Sequence, residues 1–548
     1  MPNWKDHTPP SRPVAMGVNG MVTSAHPMAS TSGVRVLAQG GNAFDAAVAT
    51  AATLNVVEPY MSGVGGIGMA MVYVAAEDKV RVLNFSGRAP RAADPDLFTD
   101  ETKRTGILAP LVPGNLAGWM TLHETYGRLE RDRLFAPAIG YAEAGTPVTY
   151  LTSRIMRLNE ERLRQFDSSA AIILDSAGNA PRPGERLLMP QLAESLRMIA
   201  RDGQETFYRG ELAQRLVDGV RDLDGLISAE DLAECEVEWM EPISTSYRGY
   251  DVFAPPPNSS GFQILETLNV VEGFDPGDLV SQDAMTLHLL MESIKLSVTD
   301  RIKYGGDPDY VRVPLERLLS KEYAARQRTR IDRARASVSP GEHYASDLPE
   351  GALAPGDSAA FDGGMTTHFA TADRDGNVVT VTQTLGGSFG SAVAVGDTGI
   401  FLNNMCGWFD LEEGSPNRIG PGKRVDFVVA PTQTFRDGRF LLSMGTPGSY
   451  GILQTTPQML LNFLEFGMNV QQAIDAPRFR YYERTRVAME SRFPVESRRA
   501  LADLGHEVEL LDPWTPTVGG AQAIAADVEK GVFQGGADPR RDGYAFGL

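Results

Sequence analysis

Cysteine is almost missing from this chain: Cys235 and Cys406 are the only two in 548 residues. Two distant thiols make neither a disulfide framework nor a metal-ligand spacing. Histidine is sparse too, at seven, and no HExxH or comparable cluster occurs. No metal and no cofactor is expected. Positive charge is in deficit, with 51 Lys and Arg against 70 Asp and Glu, a formal net charge of −19. That balance opposes nucleic acid and anionic membrane, and no basic–aromatic cluster offsets it. No apolar run reaches the ~18 residues of a membrane span. The opening Met1-Pro2-Asn3-Trp4-Lys5-Asp6-His7 lacks the apolar core of a secretory signal, so a cytoplasmic location is expected.

What is present is an ordinary globular composition, 42% hydrophobic and 22% charged, in a chain long enough for two packed subdomains. Residues 1–13 are polar and proline-rich and read as an arm. Asn42 is a good N-cap for the alanine-rich run to Leu54, which reads as a buried helix. Gly63-Val64-Gly65-Gly66-Ile67-Gly68 matches GxGxxG formally. The residues after it, Met69 to Val74, read as a strand, so a dinucleotide site is rejected. Helical periodicity dominates from about 190 to 335, with a long helix opening at Ser281-Gln282-Asp283 and stopping at Gly305-Gly306. Residues 336–365 read as an exposed, mobile linker. Beyond it the period becomes two: strands around Thr367–Ala372 and Val378–Thr384 flank a glycine-bearing turn, and a second hairpin surrounds Asp437-Gly438. Helices before Thr366 and antiparallel strands after it imply a layered α+β architecture.

Thr366, in Gly363-Gly364-Met365-Thr366-Thr367, is where chemistry concentrates. A Thr-Thr pair at a strand start is by itself ordinary. Cleavage of the Met365–Thr366 bond, however, would leave a hydroxyl nucleophile and an amine base on one residue, a known variant of triad logic. A free α-amine titrates near 7.7–8.0, so it can act as a base at neutral pH. The strand ending in Gly445-Thr446-Pro447-Gly448-Ser449 turns with successive N–H groups outward, a candidate anion nest.

Taken with Asp375-Gly376-Asn377, Gly399-Ile400-Phe401-Leu402-Asn403-Asn404 and Gly420-Pro421-Gly422-Lys423-Arg424, these motifs resemble the γ-glutamyltranspeptidase family of N-terminal-nucleophile hydrolases. The likeness extends upstream through Gly41-Asn42-Ala43-Phe44-Asp45, Val57-Glu58-Pro59, Pro113-Gly114, Pro256-Pro257 with Ser259-Ser260-Gly261, and Asp300-Arg301. Downstream it runs through Ala476-Pro477-Arg478-Phe479 and Ala537-Asp538-Pro539-Arg540. The resemblance implies an αββα sandwich and a precursor that cuts itself into a large subunit, 1–365, and a small one, 366–548. It implies Thr366 as nucleophile, Thr384 as its supporting hydroxyl, and the amides of Gly448 and Ser449 as the oxyanion hole. A further homo-oligomer is left open.

The sequence departs from the family where the family grips glutamate. Ser86 stands where an α-carboxylate-binding arginine is expected, with Arg88 two residues on as a shifted clamp. Gly386, Met405 and Trp408 replace an asparagine, a glutamine and an aspartate, and Phe427-Val428 replaces a serine pair. These side chains offer a buried ammonium no acceptor. The loop from Cys406 to Ile419 is also short for a lid. Oxamate amidohydrolase and cephalosporin acylase-like members share this profile. The expectation is an amidase that forms an acyl-enzyme from a small carboxylate-bearing or partly apolar acyl amide and passes it to water. The alternatives are a true γ-glutamyltransferase with a rebuilt glutamate site and, outside enzymes, a catalytically silent scaffold.

Overall fold

Two antiparallel sheets pack face to face between helical layers in the computed structural model, which describes residues 11–338, 364–527 and 530–548. One sheet runs in the order Tyr544–Gly547, Gly20–Ser24, Gly364–Asp373, Val378–Gly387, Ile67–Val74, Lys79–Phe85, Glu238–Met240. The other runs Ala15–Gly17, Val532–Ala537, Gln522–Asp527, Arg439–Gly445, Thr432–Arg436, Tyr250–Ala254, Ile243–Tyr247. The central strands of the first sheet lie against Arg439–Gly445 and Gln522–Asp527 of the second. This is the αββα sandwich expected from the resemblance.

The local rules account for the helical layers. Asn42 accepts from the amides of Phe44 and Asp45, and Asp45 accepts from Asn42 N, a complete capping box. The helix Ala43–Val57 is buried along its whole length, and its small side chains allow close packing on the first sheet. On the opposite side the helices Phe262–Glu272, Ala284–Tyr304 and Ile452–Leu464 cover the second sheet and share one apolar cluster. Asp283 caps the long helix, which stops at Gly305 as the pattern predicts.

Two expectations need correction. The 190–335 stretch is not all helical: Glu238–Met240, Ile243–Tyr247 and Tyr250–Ala254 supply edge strands to both sheets. Nor is the strand read after the glycine run alone before Thr366, since Gly20–Ser24 and Lys79–Phe85 also belong to its sheet. Gly20–Ser24 is buried throughout and shows no alternation, so its period is hidden, while the edge strands are too short to stand out from the helical pattern around them. The Ile67–Val74 strand follows the glycine-rich turn directly, as read. Of the arm and linker, residues 1–10 and 339–363 lie outside the described residues. No helix among those described is long and apolar enough to cross a membrane.

Candidate active site

Thr366 sits at the end of the Gly364–Asp373 strand, 3% exposed, and pairs with Thr384 on Val378–Gly387. The register slips between Met365 and Thr366: Met365 faces Gly386, so Leu385 is an extra residue. Such a bulge bends the strand and re-aims its carbonyls. The result is a hub at Thr384. Its hydroxyl donates to the Met365 carbonyl oxygen at 2.6 Å. It accepts from Gly386 N at 2.7 Å and from the Thr366 hydroxyl at 3.2 Å. The carbonyl that precedes Thr366 is thus bonded by the same hydroxyl that accepts the Thr366 hydrogen bond.

Gly448 and Ser449 line the same cleft as Met365, a space of about 280 Å³. They open the turn Ser449–Gly451 and the helix Ile452–Leu464, so their amides belong to the unsatisfied first turn of a helix. Gly448 has φ 135°, and Ser449 holds φ 54°, an uncommon conformation for a residue with a side chain. Thr446 fixes the turn: its hydroxyl donates to Pro447 O at 2.9 Å and accepts from Gly520 N at 3.0 Å.

Other groups buttress the strand. Arg541 Nη1 donates to the Thr366 carbonyl at 3.1 Å. Thr367 donates to Glu58 Oε2 at 3.1 Å, while Glu58 Oε1 is buried with no partner among the described residues. Burial raises the Glu58 carboxyl to about 7, against the pull of Arg541. His368 bonds Thr382 Oγ1 at 2.7 Å, and burial lowers it to about 3, leaving a neutral ring.

The acyl-pocket candidates divide. Gly386, Met405 and Trp408 meet: a Cβ on Gly386 would lie 2.2 Å from Asn404 Oδ1 and within 3.2 Å of Trp408 and Met405. With φ 99° as well, this position admits no side chain. Met405, Trp408, Phe427 and Val428 are buried in one apolar cluster with Tyr450, the residue after Ser449. Ser86 and Arg88 lie elsewhere, on a separate cleft with Asp231 and Glu234. Ser86 follows Phe85, the partner of Gly68, two strands beyond Thr384. Its hydroxyl is tied to Asn258. Arg88 donates to Asp309 Oδ2 at 2.8 Å and to Gly422 O at 3.0 Å. The structure therefore does not bring Arg88 to Thr366. The arginines that do line the Met365 cleft are Arg154, Arg480 and Arg541, beside Met61, Leu151, Ile155 and Leu158.

For metals, His288, Glu292 and His506 converge within 4.8 Å, a grouping invisible in sequence because His506 is remote. Most of its polar atoms are already bonded, although His506 Nδ1 is buried without a partner among the described residues. His288 Nδ1 and His506 Nε2 share a proton at 2.9 Å, His288 Nε2 meets Asp332 O, and Lys295 neutralises Glu292 at 2.7 Å. A cation there would displace these bonds, so the donor set does not fit one.

Comparison with known proteins places the chain. The γ-glutamyltranspeptidase family model matches residues 29–548. The chain belongs to this family. It is 38% identical to the glutathione hydrolase-like YwrD proenzyme of Bacillus subtilis (strain 168), covering 97% of this chain and 99% of that one. It is 36% identical to the Acylase ACY 1 proenzyme of Pseudomonas sp. (strain SE83), covering 99% and 96%. Among solved structures it is similar to cephalosporin acylase from Bacillus halodurans, with a TM-score of 0.89 and 34% identity over 100% of this chain and 99% of that one. The γ-glutamyltranspeptidase relatives include hydrolases and acylases named as proenzymes, consistent with autoprocessing and with amide hydrolysis or transfer. Within this family member, sequence reasoning singled out Thr366, Thr384, Gly448 and Ser449, and the fold brings these residues together. It passed over Glu58 and Arg541. Each stood inside or beside a recognised motif, but nothing in the sequence tells a buttress from a packing residue.

Proposed function

We propose that this protein is a self-processing amide hydrolase whose nucleophile is Thr366, acting on acyl groups that carry a carboxylate and an apolar portion. The observation that carries the reading is the hub at Thr384, which contacts both the attacking hydroxyl and the carbonyl to be attacked. In the first cut the Thr366 hydroxyl adds to the Met365 carbonyl carbon, and its proton passes to Thr384. Thr384 gives its own proton to the developing oxyanion. Collapse breaks the C–N bond, protonates the Thr366 nitrogen and leaves an ester, which water hydrolyses. The product carries a free amine on Thr366.

In turnover that amine takes the hydroxyl proton as Thr366 attacks the substrate amide. The amides of Gly448 and Ser449 stabilise the oxyanion, and the amine hands the proton to the leaving nitrogen. Water then releases the acyl group by the same steps. The carboxylate is received by the arginines of the cleft, above all Arg154, which is exposed and makes no ion pair among the described residues. Arg88 is already held by Asp309. The apolar portion rests on Leu151, Ile155 and Leu158.

The deciding experiment is mass spectrometry of the purified protein followed by an amide-substrate panel. The reading requires a fragment that begins at Thr366 and an acyl adduct on it. Turnover of γ-glutamyl anilide in preference to carboxylated apolar amides, with glycylglycine as acceptor, would instead favour the transferase.

A further inference from the structure

A second cavity, of about 250 Å³, opens between the helices Ala284–Tyr304, Leu315–Leu318 and Lys321–Arg328, and shares no lining residue with the Met365 cleft. Its wall carries Lys303, Arg317, Arg326 and Arg330 against the single carboxylate of Asp300. In a chain of net charge −19, four cations around one hollow run against the overall balance.

Lys303 and Arg317 act on Asp300 through their charge, with no ion-pair contact to it among the described residues. Asp300 is capped by neutral donors, accepting from the Tyr323 hydroxyl at 2.9 and 2.8 Å and from Gln327 Nε2 at 2.9 Å. Lys303, Arg317 and Arg326 form no ion pair among the described residues, although Glu316 and Glu322 stand next to them in sequence. Arg317 and Arg326 instead lie over the Tyr323 ring, at 5.0 and 5.5 Å from its centre. Stacking on an aromatic face holds a guanidinium in place and leaves its in-plane N–H groups directed outward. Fixed, unneutralised guanidinium forks around a hollow are the donor set that takes phosphate or carboxylate oxygens in pairs.

We infer that this cavity is a binding site for a small polyanion, a phosphate ester or polycarboxylate bearing two or more negative charges. The volume admits a small molecule. Neutralising three or four cations calls for more than one anionic group, so a monoanion such as acetate binds weakly.

The test is a thermal-shift and calorimetric titration of the processed protein with pyrophosphate and, separately, with citrate. Potassium chloride at matched ionic strength serves as control. A saturable rise in Tm with either polyanion, absent with chloride, is expected, and which of the two acts identifies the source. The Arg317→Gln/Arg326→Gln double variant should bind at least about tenfold more weakly, as loss of charge-assisted bonds implies, while still releasing a fragment that begins at Thr366. Lys303→Gln, which leaves the Tyr323 stack untouched, should weaken binding as well and serves if the double variant does not fold. A response to polyanion no larger than to chloride overturns the inference. So does full affinity in the double variant or, where that variant does not fold, in Lys303→Gln.

Discussion

Asp538 and Glu58 are both buried carboxylates with arginine neighbours, both reach the strand region behind Thr366, and they titrate on opposite sides of their normal range. Asp538 is held down to about 2 by Arg478 and Arg540, which outweigh its burial. It accepts from Ala521 N and Arg540 N and pairs with both arginines, and Arg540 pairs in turn with Glu490 at 2.6 Å. Glu58 is raised to about 7 because burial outweighs the pull of Arg541. It accepts one hydroxyl bond and leaves one oxygen unmet. A buried charge with all its lone pairs used is a framework; one left half-used beside a reacting group is a tuned element. The framework fixes the turn from which Arg541 reaches the Thr366 carbonyl, and Glu58 answers Arg541 from the other side.

The largest effect separates chemistry from both. Thr366→Ala should leave the chain uncut, a complete loss seen as one band on a denaturing gel, with Tm nearly unchanged because the side chain removed is small. Two bands from this variant would remove Thr366 as nucleophile. The framework should behave in the opposite sense. Arg540→Ala leaves Asp538 to Arg478 and Glu490 to Arg492 alone, and breaking into such a buried network costs about 3–5 kcal/mol. Chemical denaturation of the processed protein measures it; a loss under 1 kcal/mol would mean the network is no more than a surface pair.

Glu58 tests the tuned half of the comparison. Its folded carboxyl titrates near 7 against 4.5 for the reference group. The folded state therefore holds the proton more tightly, and this group's contribution is fully present below about 4.5 and lost as pH rises through about 7. Asp538 runs the other way: its contribution is present above 3.8 and lost as pH falls through about 2. Glu58→Gln should remove about one proton's worth of slope, ~1.4 kcal/mol per pH unit, between those limits. It should also flatten the kcat profile on its alkaline side while leaving KM unchanged, as a positioning residue would. An unaltered pH profile with altered stability alone would reduce Glu58 to packing.

Legibility in the sequence divides along the same line. The Thr366 strand, its Thr384 partner strand and the Gly448–Ser449 turn could be read because turn chemistry and a two-residue period are local. The Asn42 cap and the Asp283 helix start were local too. What failed was everything set by register and crossover. Arg88 was close to the right position in the chain, yet it lies two strands from Thr384 and its guanidinium faces Asp309. Arg154 carries no signal in its helix Tyr150–Leu158, where it is one of two exposed cations, with Arg157. Only the packing of that helix beside the oxyanion turn gives it a role.

The smallest predicted effect decides between those two arginines. For a carboxylate-bearing amide, Arg154→Ala should raise KM about tenfold with kcat near wild type. That is the loss of one partly exposed charge-assisted contact, ~1.5 kcal/mol. Self-cleavage should proceed normally, because the contacts of Thr384 do not involve the Tyr150–Leu158 helix. Arg88→Ala should leave KM unchanged while losing its contacts with Asp309, Asp307 and the Gly422 carbonyl, a stability effect with no bearing on the cleft at Met365. The amide of an uncharged acyl group provides the internal control, since neither substitution should alter its KM. If Arg88→Ala raised KM and Arg154→Ala did not, the substrate would bind across the Ser86–Arg88 cleft, and the acyl pocket would have to be moved to that side of the sheet.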